Sequence, residues 1–337
     1  MMWQIAGHDW VVRVLDSSIA TGRVSHAYLL AGPQGVGKST LAKNLAQALL
    51  CQGQDKPCGD CGACRKIIAG NHPDVRVVDL HYQALLREES LVKQKELRVD
   101  TIRSVTHEAG LKPFEGKRKV LLIPDADHMN HHAANSLLKT LEEPPPHVVL
   151  VLTATDPHLL LPTIVSRCQV LSLRFVPLTL IEEELRQRHG VESKRARLLA
   201  GLSGGRIGWA IRAAQDDSVL EERANTLQEL EALPRRSRLD RLDYAQRLSH
   251  HPDGTQDTLD LWLSWWRDLL LIRGGSMETI GNVDVSATLE QEAHRYDLWE
   301  IARFLKAIRS TQHQIGLNTD ARLALEVLLL DLPPRSN

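Results

Sequence analysis

Residues 32–39, Gly32-Pro33-Gln34-Gly35-Val36-Gly37-Lys38-Ser39, reproduce the spacing G-x-x-x-x-G-K-[ST] without substitution. Glycines at those positions let successive backbone N–H groups turn toward phosphate oxygens. The lysine neutralises β- and γ-phosphate charge, and the serine hydroxyl reaches Mg2+. The chemistry implied is binding of a nucleoside triphosphate, ATP in the first instance, with Gly32, Gly35, Val36, Gly37, Lys38, Ser39 and Thr40 as the contacting residues. A chance glycine-rich turn is the alternative, and the flanks speak against it. An apolar, strand-like run precedes the loop at 27–31 and a helical stretch follows at 40–50, whose N-terminal dipole would add to an anion site.

A second constellation follows at once. Cys51, Cys58, Cys61 and Cys64 are spaced C-x6-C-x2-C-x2-C, with Pro57, Gly59 and Gly62 supplying tight turns. Four thiolates complete a tetrahedral structural Zn2+ shell and leave no ligand position for water. A redox pair or disulfides would use the same residues, but four cysteines in a protein expected in the reducing cytoplasm suit zinc better. Cys168 stands apart beside an apolar run and reads as a small core residue.

A third candidate is acidic. Leu121-Leu122-Ile123-Pro124-Asp125 has the form of an apolar strand that delivers a carboxylate, Asp125, to the Mg2+ shell. In most ATPases of this kind the next residue is a glutamate that orients the attacking water; here it is Ala126. Asp127 is the available substitute, although two positions along a strand-end turn its carboxylate is expected to point elsewhere. Hydrolysis by this chain is therefore expected to be weak or absent.

These residues need a scaffold that brings loops to one edge. Apolar runs at 75–79, 119–123, 148–152 and 169–173 alternate with helix-period stretches at 101–111 and 131–142. That alternation predicts an α/β fold with a parallel sheet covered by helices on both faces. After Phe175-Val176-Pro177 the spacing turns helical, with segments at 181–189, 193–200 and 207–214. From 216 to 332 leucine-rich helical spacing continues, broken at Pro234, at 251–254 and at Gly274-Gly275. A chain of 337 residues exceeds one ordinary core, and the pattern predicts three domains, 1–175, 176–215 and 216–337. Trp262, Trp265 and Trp266, at i, i+3 and i+4, are expected in the core of the last.

Composition narrows the setting. No apolar run approaches the roughly 18 residues that span a bilayer, and the first ten residues lack a basic-then-apolar leader pattern. A membrane partner is thus not expected, and the cytoplasm is the expected location. With a formal net charge of −1, nucleic-acid binding would need a local basic face.

The run Ser136-Leu137-Leu138-Lys139-Thr140-Leu141-Glu142-Glu143-Pro144-Pro145-Pro146, then Thr153-Ala154-Thr155-Asp156-Pro157, then Thr163-Ile164-Val165-Ser166-Arg167-Cys168, resembles the AAA+ ATPase subunits of bacterial DNA polymerase III clamp loaders. The likeness extends to His26-Ala27-Tyr28-Leu29 and to the cysteine insertion, and so covers nearly all of 1–175. It implies an AAA+ P-loop domain with a zinc-binding insertion, a three-helix lid at 176–215 that swivels on nucleotide binding, and an all-helical collar at 216–337 for ring assembly. Arg167, in Ser166-Arg167-Cys168, would be an arginine finger reaching a neighbour's γ-phosphate. Thr155 falls at the family's sensor position, with a turn cap before Asp156-Pro157 as the alternative. Arg206 lies one place out of register with the second sensor of motor subunits, which leaves its role open. Motor subunits of the tau/gamma type typically carry Asp-Glu where this chain has Asp125-Ala126. The resemblance is therefore closer to the delta-prime type, and a tau/gamma-type motor is the alternative.

The partners implied are tau/gamma and delta subunits, the sliding clamp and the phosphate backbone of primed DNA. For DNA, Arg98, Arg103 and Lys112, with Lys117, Arg118 and Lys119, are the candidates. The cluster Arg235-Arg236-Ser237-Arg238 is expected to be a solvated face. No polymerase site is visible, so any polymerase activity would belong to the assembly.

Overall fold

Apolar runs too short for helices form five strands, β1 (Ala27–Ala31), β2 (Val75–Val77), β3 (Lys119–Ile123), β4 (Val148–Ala154) and β5 (Gln169–Ser172). All pair in parallel, in the order β2-β3-β4-β1-β5. This computed structural model describes residues 3–91, 94, 96–250, 252–277, 280–316 and 319–334, without the side chains of 252 and 253. Every residue of β1 and β4 is buried, as expected of a parallel sheet covered on both faces.

The period-2 alternation of side chains divides the apolar content into two cores. Leu29, Leu150 and Leu152 face one way, against helices α5 (Val99–Gly110) and α6 (His131–Glu142). Tyr28, Leu30, Val149 and Val151 face the other, against α1 (Asp9–Ala20) and α2 (Lys38–Leu50). Three shorter helices, α3 (Gly62–Ile68), α4 (Leu80–Arg87) and α7 (Pro162–Val165), complete this unit, which ends at Val176.

Register aligns the strand ends that matter. Ile123 of β3 pairs with Leu152 of β4, and Ala31 of β1 pairs with Ala154 of β4 and Ser172 of β5. The loops leaving β1, β3 and β4 therefore emerge side by side at the C-terminal edge, where open α/β sheets bind ligands.

The second compact unit, Pro177–Asn337, is helical among its described residues. It holds α8 (Leu178–His189), α9 (Ser193–Ser203), α10 (Ile207–Gln215), α11 (Ser218–Ala232), α12 (Arg238–Ser249), α13 (Pro252–Arg273), α14 (Ser286–Ala293), α15 (Leu298–Gly316) and α16 (Ala321–Leu330). Only Asp216 and Asp217 separate α10 from α11. Trp262, Trp265 and Trp266 are buried, and the Trp266 ring lies 4.7 Å from Phe304 and 5.0 Å from Tyr296. Ser237 and Asp240 form a reciprocal capping box that starts α12, and Arg236 pairs with Glu229 at 2.8 Å. The arginine cluster thus ends one helix and begins another.

Candidate nucleotide site and metal centre

The phosphate loop leaves β1 through a gap that admits no side chain. A Cβ on Gly32 would lie 2.4 Å from the Leu173 carbonyl oxygen, while the Gly32 N–H donates to the Ala154 carbonyl at 3.1 Å. Gly37 sits at φ 107, in the left-handed region that favours glycine, and caps α2. The helix consequently begins at Lys38, two residues ahead of the expected 40. Ser39 and Thr40 lie exposed on its first turn, whose N–H groups have no intrahelical acceptors. The buried loop residue Val36 is held by His8, whose ring Nε2 donates to the Val36 carbonyl at 2.9 Å. Burial holds the His8 pKa below its ordinary value, which suits a neutral ring protonated on Nε2. Nothing in the sequence singles out His8, a lone histidine ahead of a helix.

Lys38 is buried, and its ammonium donates to the carbonyls of Gly32 at 2.7 Å and Pro33 at 3.0 Å. Burial lowers its pKa, while Asp125 and Asp127 act in the opposite sense. Both carboxylates are thus within electrostatic reach of the loop lysine, a grouping that a metal-bound polyphosphate would fit.

The turn after β3 decides what each acid can do. Asp125 is exposed and left-handed, at φ 47 and ψ 54, and its N–H donates to the Thr153 hydroxyl at 3.0 Å. Ala126 is fully buried in the core under α5 and α6. Position 126 therefore carries no carboxylate, and its methyl packs into the core. Asp127 Oδ2 accepts from both the Thr155 hydroxyl at 2.6 Å and the Thr155 N–H at 3.1 Å. Its Oδ1 is buried and has no hydrogen-bond partner among the described residues. Thr155 is thus brought to the acidic turn as well as to the loop edge.

Arg167 lies between α7 and β5. Its guanidinium pairs with Glu142 at 2.7 Å and donates to the Thr163 carbonyl at 2.9 Å, with the side chains of Arg167 and Glu142 35% and 50% exposed. An ion pair that open to solvent contributes about 0–1 kcal/mol, so the arginine is held loosely and faces outward. Arg206, out of register with the second sensor, is engaged by Asp260 at 2.7 Å within the helical unit. Among the basic candidates, Lys119 donates to the Glu108 carbonyl at 2.7 Å and Arg98 lies 3.7 Å from Glu89. Arg103, Lys112 and Lys117 are exposed and Arg118 is half-buried.

The four cysteines converge. Their sulfur atoms all lie within 4.8 Å of one another, with Cys58 to Cys64 at 3.9 Å and Cys51 to Cys61 at 4.0 Å. A tetrahedral site with Zn–S near 2.3 Å has S···S edges of about 3.8 Å, so the donor set fits zinc. Burial opposes ionisation of Cys61, but N–H groups from Gln52 and Cys64 aimed at its sulfur bring the thiol down to about 6. Burial pushes the Cys64 thiol up. Gly53 packs closely on the cluster, since a Cβ there would lie 3.1 Å from the Cys58 sulfur. A second tie fixes the module's surroundings: Lys66 of α3 pairs with Glu115 at 2.6 Å, and Asp74 accepts from the N–H groups of Phe114, Glu115 and Gly116. Cys168 packs against the core under α5 and α6, and burial lifts its thiol to about 12.

Comparison with known proteins agrees with this geometry. The family model described as DNA polymerase III, delta subunit, matches residues 7–177, and its C-terminal counterpart matches 218–333. The DNA polymerase III subunit delta-prime of Bacillus subtilis (strain 168) is 30% identical over 330 residues, covering 96% of this chain and 95% of that one. The delta-prime subunit of Pseudomonas aeruginosa is 45% identical over 146 residues, 43% of this chain and 42% of that one. The tau subunit of Escherichia coli (strain K12) is 33% identical over 210 residues, 60% of this chain but 31% of that one. With relatedness along almost its whole length and a parallel sheet followed by a helical unit, the chain belongs to the delta-prime family of DNA polymerase III subunits.

Proposed function

We propose that this subunit is a stator of the clamp loader: it binds ATP with Mg2+ through Gly32, Gly35, Val36, Gly37, Lys38, Ser39, Thr40 and Asp125, and lends Arg167 to an adjacent tau/gamma motor. The observation that carries this reading is the burial of Ala126 in the core beside an otherwise complete phosphate loop. Binding parts are present, while position 126, which supplies the hydrolytic carboxylate in motor subunits, is an alanine here. Bound Mg2+-ATP supplies the triphosphate charge. Lys38 neutralises it, the α2 N–H groups orient it, and Thr155 offers a hydroxyl toward the terminal phosphate. Arg167, half-buried and loosely held, completes a neighbour's site by spreading positive charge over the transferring oxygens. A tau/gamma-type motor reading would need Asp127 or a water-bridged Asp125 as base, and Asp127 Oδ2 already accepts from Thr155.

Zinc in the Cys51, Cys58, Cys61 and Cys64 cluster serves structure in this proposal, since all four ligand places are filled by sulfur. The exposed apolar residues Trp299, Leu323, Val327 and Leu330 on α15 and α16 support a ring-forming role for the helical unit, next to tau/gamma and delta subunits. Exposed Arg103, Lys112 and Lys117 support phosphate contacts with primed DNA as the sliding clamp is loaded. A cytoplasmic location fits these partners, and no described helix is long and apolar enough to cross a membrane.

The test is steady-state ATP turnover by a loader reconstituted with clamp and primed DNA. Arg167→Ala is expected to lower turnover at the neighbouring site by about 10^3-fold, whereas Lys38→Ala in this subunit leaves most turnover intact. Loss of turnover on Lys38→Ala instead would make the chain a motor.

A further inference from the structure

The Thr155 hydroxyl carries one proton, and in this structure that proton is spent on Asp127 at 2.6 Å. A γ-phosphate, which is an acceptor only, needs the same proton. ADP makes no such demand. We infer that Asp127 sets the preference of the nucleotide site between ATP and ADP, by competing with the γ-phosphate for the single hydroxyl proton of Thr155. The inference rests on the nucleotide reading proposed above and assigns Asp127 a specificity role within it.

Three observations carry it. The hydrogen bond is short and its acceptor is a carboxylate, which places it among the stronger kind. Asp127 presents only Oδ2 to partners: Oδ1 is buried without one, so its remaining protein donor is the Thr155 N–H at 3.1 Å. Both residues stand at the aligned ends of β3 and β4, beside the strand that leads into the phosphate loop, and Lys38 feels the charge of Asp127. Releasing the hydroxyl to a phosphate thus leaves a carboxylate that is partly desolvated and has lost one of its two donors, a cost imposed on ATP and not on ADP. Removing the carboxylate also removes a negative charge near both nucleotides, so the test must separate charge from the hydrogen bond.

The experiment is equilibrium binding of Mg2+-ATP and Mg2+-ADP to the full chain, for the wild type, Asp127→Ala, Thr155→Val and the double variant. Asp127→Ala is expected to raise ATP affinity relative to ADP by about three- to tenfold, the size of one charge-assisted hydrogen bond. In the Thr155→Val background the same change is expected to leave the ratio where it was. Asp127→Asn preserves volume and shifts the ratio in the same direction, because an amide can donate to the threonine oxygen and free its proton. An equal shift in both backgrounds, or no shift in either, overturns the inference. If the wild type binds neither nucleotide, or Lys38→Ala binds as well as wild type, the nucleotide reading itself fails, and the inference with it.

Discussion

The two ends of α2 carry the two candidate ion sites, and they are built differently. At the N-terminus, Gly37 caps the helix and Lys38 folds back onto the carbonyls of Gly32 and Pro33. At the C-terminus, Cys51 follows Leu50 directly and joins three other sulfurs already at near-tetrahedral separations. The first end holds its ammonium against its own backbone, and in the proposed function would release it to a phosphate; the second has its ligands gathered. The contrast suits a ligand that exchanges at one end and a metal that stays at the other. It also shows why short spacing suffices for metal: residues 51–64 hold all four cysteines, whereas the nucleotide site also needs β3, β4 and His8.

The largest effect is expected where the contrast is sharpest. Structural zinc contributes roughly 10 kcal/mol of apparent binding free energy to small modules, so Cys64→Ser should abolish stoichiometric zinc and open residues 51–70 to limited proteolysis. The 13 residues of α2, at a rise of about 1.5 Å each, put roughly 20 Å of helix between the two ends, so ATP affinity should change less than twofold. If ATP affinity falls together with zinc content, α2 couples the sites and the two ends are not independent.

A smaller effect concerns the support of the loop. His8 is held below its ordinary pKa by burial, so the unfolded chain binds its proton first as pH falls. Stability from the neutral ring is present above about 6.5 and is lost as pH drops from there toward the folded value. His72 shifts in the same direction, also through burial. The stability read by thermal unfolding between about pH 7.5 and 5.5 should therefore fall with acidification, and His8→Asn should reduce that slope without removing it. An unchanged slope would show that the loop does not depend on His8.

The smallest effect concerns the ion-pair partner of Arg167. Its pair with Glu142 is exposed, worth about 0–1 kcal/mol, so Glu142→Gln should free the guanidinium and raise turnover of the reconstituted loader about two- to threefold. A fall would mean that Glu142 positions the arginine for its work and does not merely hold it at rest.

Much of the site is legible in local pattern. The phosphate loop, the cysteine spacing and the α6 boundaries at His131–Glu142 each depend on residues close together in the chain, and each can be read from its own segment. The tryptophans at i, i+3 and i+4 lie in the core as expected, since an aromatic-rich helical face buries a large apolar area. Asp127 departs from the pattern. Strand alternation carried past Ile123 would keep residues 125 and 127 on one face, but a left-handed Asp125 followed by a 3-10 turn at Ala126–His128 ends the strand pattern, and Asp127 meets Thr155.

Ligand chemistry, a triphosphate cradle and four thiolates, is thus written in the chain, because residue type and short spacing are local properties. Which acid serves which partner is a matter of tertiary structure. Pairing Ile123 with Leu152, and Ala31 with Ala154, brings Asp125 to Thr153, Asp127 to Thr155 and Gly32 to Ala154 across gaps of 28 residues and more. The same packing turns Ala126 into the core. Those outcomes rest on the register of parallel strands, which is set by how both faces of the sheet are buried and not by any one segment of the chain.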